Sequence, residues 1–248
     1  MNQEQIKLYL LSALAAVVAL TVHEFCHGYA AYKMGDNTAK NFGRLSFNPL
    51  KHIDIVGAIC MIFFHIGWAK PVPVNPRNFR NPKKGFAITA LAGPLVNIIL
   101  GFLSCGIYLL IVALVGDKPI ESEFLFNFLS NVLLFVYLFY TLNVGLGIFN
   151  LLPIPPFDGS RILHVVLPTR LYFGIMRYER RIYIGVLLWL LLGDSVALFL
   201  RAIPLVASTP ILYFAVGIFD LSGMLSAVIQ WVCGLMLSAW RLIPFLNV

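Results

Sequence analysis

Thr21-Val22-His23-Glu24-Phe25-Cys26-His27-Gly28 decides how this chain is read. The stretch contains His-Glu-x-x-His and lies inside an apolar run that begins near Leu8 and continues past Ala31. Residues four apart share a helix face, so His23 and His27 can turn two imidazole nitrogens towards one metal ion. Glu24 lies about 100° round the helix from His23, within reach of a water at the ion without being a ligand. A catalytic zinc site uses three protein ligands and leaves one position open for water. A carboxylate beside it accepts the proton as the water attacks a carbonyl. A glutamate and two histidines within a lipid-length apolar segment are costly unless they are used, which argues against a chance cluster on an exposed helix.

Composition sets the environment. Sixty per cent of the 248 residues are hydrophobic and 12% are charged, with a mean hydropathy of +0.86. Such values exclude an ordinary soluble domain. Several apolar runs reach the roughly 20 residues that cross a bilayer. The net charge of +7 is gathered in loop clusters, which speaks for membrane orientation and against nucleic acid as a partner. Cys26, Cys60, Cys105 and Cys233 are scattered singly, so no disulfide framework is expected. The N-terminus lacks a basic region followed by a small-residue cleavage site, and the first apolar segment is expected to stay in the mature protein.

These features predict an all-α polytopic membrane protein of about 5–6 membrane helices, with short re-entrant or β-hairpin segments near the active site. Residues 6–34 read as the first span. Residues 36–52 carry turn chemistry and short alternation in Phe42-Gly43-Arg44-Leu45-Ser46-Phe47, which predicts a strand and hairpin. The apolar stretch 53–66 is short for a crossing. Lys33, Lys40, Arg44 and Lys51 precede it, and Lys70, Arg77, Arg80, Lys83 and Lys84 follow, so it is read as dipping in and returning. Residues 67–76 alternate with prolines and are expected to be extended. Helices follow at 85–115, kinked at Pro94 with Ala92 and Gly93 allowing close packing, and at 124–149. Basic loops put 33–52, 70–84 and 160–181 in the cytoplasm, and acidic 116–123 outside. Residues 182–248 form two further spans, or one span with re-entrant pieces. Asp194 and Asp220 there are read as helix-end or packing groups.

Asn150-Leu151-Leu152-Pro153-Ile154-Pro155-Pro156-Phe157-Asp158-Gly159 is the second chemical stretch. Its prolines and glycine end a helix, and irregular backbone at membrane depth is tolerated where it is buried or lines a wet cavity. Asp158, just before a helix-like 160–167, is the candidate third metal ligand, the alternative being a cap for that helix. Asn150 is a candidate hydrogen-bond donor to the oxyanion or the substrate backbone, the alternative being a tie for the Pro-rich loop. His52, His65, His164 and Cys26 stay open as lining groups, although a lone histidine more often serves a local hydrogen bond.

Taken together, the His23-Glu24-x-x-His27 helix, Gly43-Arg44-Leu45, Asn48-Pro49-Leu50, His52-Ile53-Asp54, Gly67 to Val74, Ala92-Gly93-Pro94-Leu95-Val96-Asn97 and Asn150 to Gly159 resemble the site-2 proteases. These are intramembrane zinc metalloproteases, and the likeness is to the small bacterial type. It covers about residues 20–167. The resemblance implies zinc held by His23, His27 and Asp158, with Glu24 as catalytic base. Residues 116–123 are too short for the PDZ domain many relatives insert, and no CBS-like domain is expected. Cys26 departs from the small aliphatic residue usual at its position.

The expected activity is hydrolysis of peptide bonds in or near the transmembrane segments of membrane-protein substrates, on the cytoplasmic side. The expected setting is a multi-pass integral protein of the bacterial cell membrane, with 1–181 as protease core and 182–248 as C-terminal membrane helices of one integrated domain. The bilayer and a membrane-spanning substrate are the implied partners. A zinc-binding transporter would more often show repeats, and none is seen. A catalytically inactive scaffold would usually have lost Glu24 or a ligand.

Overall fold

The computed structural model describes residues 2–57, 69–116, 120–203, 208–209 and 221–246. Its long elements are helices α1 (Gln3–Lys33), α3 (Pro82–Val115), α4 (Glu123–Asn150), α7 (Glu179–Arg201) and α8 (Leu221–Arg241). The short helices α2 (Thr38–Asn41), α5 (Asp158–Val166) and α6 (Thr169–Met176) join them. Four stretches among the described residues are long and apolar enough to cross a membrane: Gln3–Lys33, Pro82–Val115, Glu123–Asn150 and Gly223–Arg241.

The first three long helices each start at a capping side chain. Asn2 and Gln5 form a reciprocal capping box at the start of α1, which satisfies two otherwise unpaired backbone donors. Asn81 caps α3, with Pro82 at its first position, and Ser122 caps α4. Burial is inverted relative to a soluble bundle. The inward face of α1 is Ala15, Ala19, Thr21, His23, His27, Gly28 and Ala31, while Leu10, Leu14 and Val18 point outwards. Small and polar residues meet inside because close helix approach drives association where the surroundings are as apolar as leucine.

Helix α3 is the hub, packed against α1, α4, α5 and α8. A Cβ on Gly101 would stand 2.6 Å from Val144 Cγ2, and one on Gly147 would stand 2.7 Å from Ile98 Cδ1. Glycine at both positions therefore sets how closely α3 and α4 meet. Gly106 does the same for α8, whose Trp240 stacks on Phe102 and donates its indole N–H to the Phe102 carbonyl at 2.8 Å.

The hairpin expected in 36–52 is absent, and the described residues form no sheet; only the antiparallel bridge Ile53–Ala69 is present. Local turns take the backbone donors instead. Arg44 N–H goes to the Ala39 carbonyl and Ser46 N–H to the Arg44 carbonyl, while Asn48 caps a 3-10 turn over Pro49–Lys51. Residues 70–75 form neither helix nor strand, and Asn75 at their end is extended, in keeping with the prolines' bias against helix. Residues 58–66 of the stretch expected to dip in and return, His65 among them, lie outside the described residues with Gly67, Trp68 and Asp220, as do the side chains of His164 and Asp194.

Candidate metal centre

His23 and His27 lie one turn apart on the buried face of α1, with their Nε2 atoms 2.9 Å apart. Asp158, the first residue of α5, brings Oδ2 to 3.2 Å from each of them. Asp158 is the first residue of α5 and not its cap, the cap position being Phe157, and its carboxylate is turned to the histidines. The Pro-rich turn aims it. Gly159 presses against the end of α4, where a Cβ would stand 2.5 Å from the Leu151 carbonyl carbon. The Pro155–Pro156 peptide in that turn is cis.

The outer nitrogens of the rings are committed. His23 Nδ1–H donates to Asn97 Oδ1, and His27 Nδ1–H donates to the Thr89 carbonyl at 2.6 Å. Both tautomers are thereby set, and both Nε2 lone pairs face Asp158. Asn97 is itself oriented, since its Nδ2 donates to Asn143 Oδ1 at 2.7 Å, and Asn143 Nδ2 donates to the Phe139 carbonyl at 2.8 Å. This relay runs through α1, α3 and α4, and Asn97 and Asn143 are fully buried. Gly93 leaves room for the rings: a Cβ there would stand 2.6 Å from His27 Cε1 and 2.7 Å from His23 Cε1.

The three donors form a group able to hold one metal ion. A tetrahedral ion with bonds near 2.0–2.1 Å spaces its ligand atoms by about 3.3 Å. The separations of 2.9 and 3.2 Å come close to that, and two imidazoles with one carboxylate suit zinc.

Glu24 lies beside the group but is held differently. Its Oε2 accepts a hydrogen bond from Val72 N–H at 2.9 Å, so the extended segment supports it, not a helix. Glu24, His23, His27 and Asp158 line one cavity of about 610 Å³. Ala69, Pro71, Val72 and Val74 form one wall, and Tyr183, Val186 and Leu187 of α7 form another. Arg161 and Glu179 also line it, 3.7 Å apart, with Arg161 over the Phe86 ring.

Asn150 lines the same cavity, but it is the last residue of α4 and not part of the irregular turn. Its Nδ2 donates to the Leu146 carbonyl at 2.9 Å. His52 and Cys26 are not among the lining residues. His52 is buried in a local role, with Nε2–H donating to the Ser46 carbonyl at 2.7 Å and its own carbonyl accepting from Lys70 N–H. Sequence reasoning quoted Asn97 within a motif but gave no role to it, and it missed Thr89 and Asn143. Two asparagines within apolar helices were the available signal, because unpaired amides are costly in lipid.

A paired-histidine and carboxylate group beside a glutamate, in a chain of membrane-length helices, defines a metallopeptidase-type centre. Peptidase family M50 matches residues 11–192, and the chain belongs to that family, whose site-2 protease motifs it carries. It is 41% identical over 152 residues to the Bacillus subtilis (strain 168) protein named Putative zinc metalloprotease YwhC, an alignment covering 61% of this chain and 67% of that one. It is 30% identical over 153 residues to Zinc metalloprotease MJ0392 of Methanocaldococcus jannaschii, covering 62% of this chain and 33% of that relative. No solved structure matches the chain.

Proposed function

We propose that this family M50 chain is a zinc metalloprotease that cuts peptide bonds in or beside the membrane-spanning segments of protein substrates, on the cytoplasmic side of a bacterial cell membrane. The observation that carries the reading is the meeting of three donor atoms beside Glu24 on one cavity wall. His23, His27 and Asp158 are the residues that would hold the metal, and the relatives are named as zinc metalloproteases. When bound, zinc supplies Lewis acidity that polarises a carbonyl and eases deprotonation of water.

The chain's own residues do the rest. Glu24 accepts the proton of the attacking water and passes it to the leaving nitrogen. Asn150 has a second amide N–H besides the one given to Leu146, and that donor serves the carbonyl oxygen as it gains charge. The substrate helix must unwind first, since its carbonyls are otherwise occupied in the helical ladder. Residues 69–75 form one wall, and since their amides at Lys70, Val72 and Asn75 are already committed, their carbonyls are the groups that accept from the unwound strand. Residues 1–181 serve as the protease core and 182–248 as the remaining membrane helices of one integrated domain.

The test is Glu24→Gln in the purified full chain. It is expected to keep about one zinc per chain while losing cleavage of a membrane-spanning peptide, because an amide cannot take the proton. Undiminished cleavage by that variant would remove Glu24 from the mechanism.

A further inference from the structure

Asp36 is fully buried, and it lies outside the metal group, in the turn that follows α1. A lone buried carboxylate is expensive unless hydrogen bonds satisfy it. This one accepts four, all from neutral donors. Thr38 N–H reaches Oδ1 at 3.0 Å, with the Thr38 hydroxyl on the same oxygen. Asn78 Nδ2 reaches Oδ1 at 2.8 Å, and Asn75 N–H reaches Oδ2 at 2.7 Å.

An asparagine could not replace it. Its single oxygen would serve part of this set, and its NH2 would face another donor. The acid is thus matched to the number of donors, two of which belong to the segment bearing Val72. Burial works against the charged form, but the bonds from Thr38, Asn75 and Asn78 outweigh it and hold the carboxyl below the usual range.

The far end of the same segment is fastened too. Lys70 N–H donates to the His52 carbonyl at 2.8 Å, and Arg44 Nη2 donates to the Lys70 carbonyl at 2.6 Å. Between the two anchors runs Pro71-Val72-Pro73, whose rings restrict both their own φ and the residues before them. Asn75 is three extended residues beyond Val72, roughly 10 Å of stiff chain. Val72 N–H is the donor that Glu24 receives, at 2.9 Å. Gly35 completes the arrangement, since a Cβ there would stand 3.2 Å from the Asn78 carbonyl oxygen, at a φ of +110°.

We infer that Asp36 is a positioning residue for Glu24: it anchors residues 75–78, so that the stiff segment before them presents Val72 N–H to the glutamate. The inference rests on the reading of Glu24 as catalytic base. Asp36 itself touches neither substrate nor metal ligands.

The test uses the zinc-loaded full chain in detergent and a quenched-fluorescence peptide carrying one apolar transmembrane segment. Asp36→Asn is expected to lower kcat by roughly 10- to 100-fold, with KM and metal content within about twofold, because small displacements of a reacting group cost this much. Hydrogen–deuterium exchange over residues 70–75 is expected to quicken about tenfold, with Pro71 and Pro73 contributing no amide to that signal. Asn78→Ala, which spares the carboxylate, gives a smaller change in the same direction and serves if Asp36→Asn does not fold. Thr38→Ala removes one donor to Asp36 and the hydroxyl that accepts from Asn78 Nδ2 at 3.2 Å, and is expected to act in the same direction with a smaller effect. Unchanged exchange at 70–75 in both Asp36→Asn and Asn78→Ala would overturn the proposal, as would an unchanged kcat in an Asp36→Asn variant whose exchange at 70–75 has quickened. If Glu24→Gln still cleaves while Asp36→Asn loosens 70–75, the base assignment fails and the positioning contact stands.

Discussion

His23 and Glu24 are neighbours in sequence, yet two unrelated parts of the molecule hold them. The histidines are set from the helix core: Asn97 and Thr89 fix their rings, Gly93 makes room for them, and Asn143 holds Asn97. Glu24 is set from outside the helices, by one backbone N–H on an extended segment fastened to turns. Helix-on-helix packing is stiff, because its close contacts leave no slack. A proline-stiffened segment carried by hydrogen bonds can shift as a unit. The difference gives the His23–His27–Asp158 group and Glu24 separate supports, so each can be damaged with the other intact.

The strongest way to break this comparison is to remove a ligand. His23→Ala, His27→Ala or Asp158→Ala is expected to take zinc from about one per chain to almost none, read by atomic absorption. Full zinc retention in all three variants would sink the assignment.

Asn150→Ala sharpens the comparison, since Asn150 belongs to α4 but faces the cavity. Loss of a donor to the charged oxygen is expected to cost about 10²–10³ in kcat, with Tm and zinc content little changed. A variant that loses thermal stability yet turns over normally per folded molecule assigns Asn150 to the Leu146 contact alone.

On the helix-core side, Gly93→Ala and Asn97→Ala are expected to weaken zinc binding by about 10- to 100-fold, measured by competition with a chelator. Gly93→Ala acts by displacing both rings and Asn97→Ala by freeing the His23 ring. Equal loosening of residues 70–75 in these variants, read by hydrogen exchange, would mean that the two supports are one.

The smallest effect belongs to pH. The Asp36 carboxyl titrates lower in the fold than in the unfolded chain. Its contribution to stability is therefore complete above the ordinary aspartate value of about 3.9, and is lost as pH falls towards the folded value. Acidification through that window is expected to lower Tm by roughly 2–4 °C more in the natural chain than in Asp36→Asn. Parallel Tm curves for the two would show that the Asp36 bonds do not depend on its charge.

The pairing of His23 with His27 on one helix face, the long helices and the irregular turn before Asp158 were legible in the sequence because each depends on local rules. Fourfold spacing puts two histidines on one face, apolar length makes a span, and prolines end a helix. The hairpin in 36–52 misled because alternation describes a strand's faces but not its partner, and here local turns and Asn caps took the backbone donors. Only the tertiary structure decided that Asn97 orients His23 across 74 residues of chain, that Gly93 is the space the rings occupy, and that Asp36 and Glu24 are joined through Val72. Those links are long-range hydrogen bonds and steric gaps. They exist only once separate segments lie within about 3 Å of one another, and no periodicity within either segment encodes that meeting.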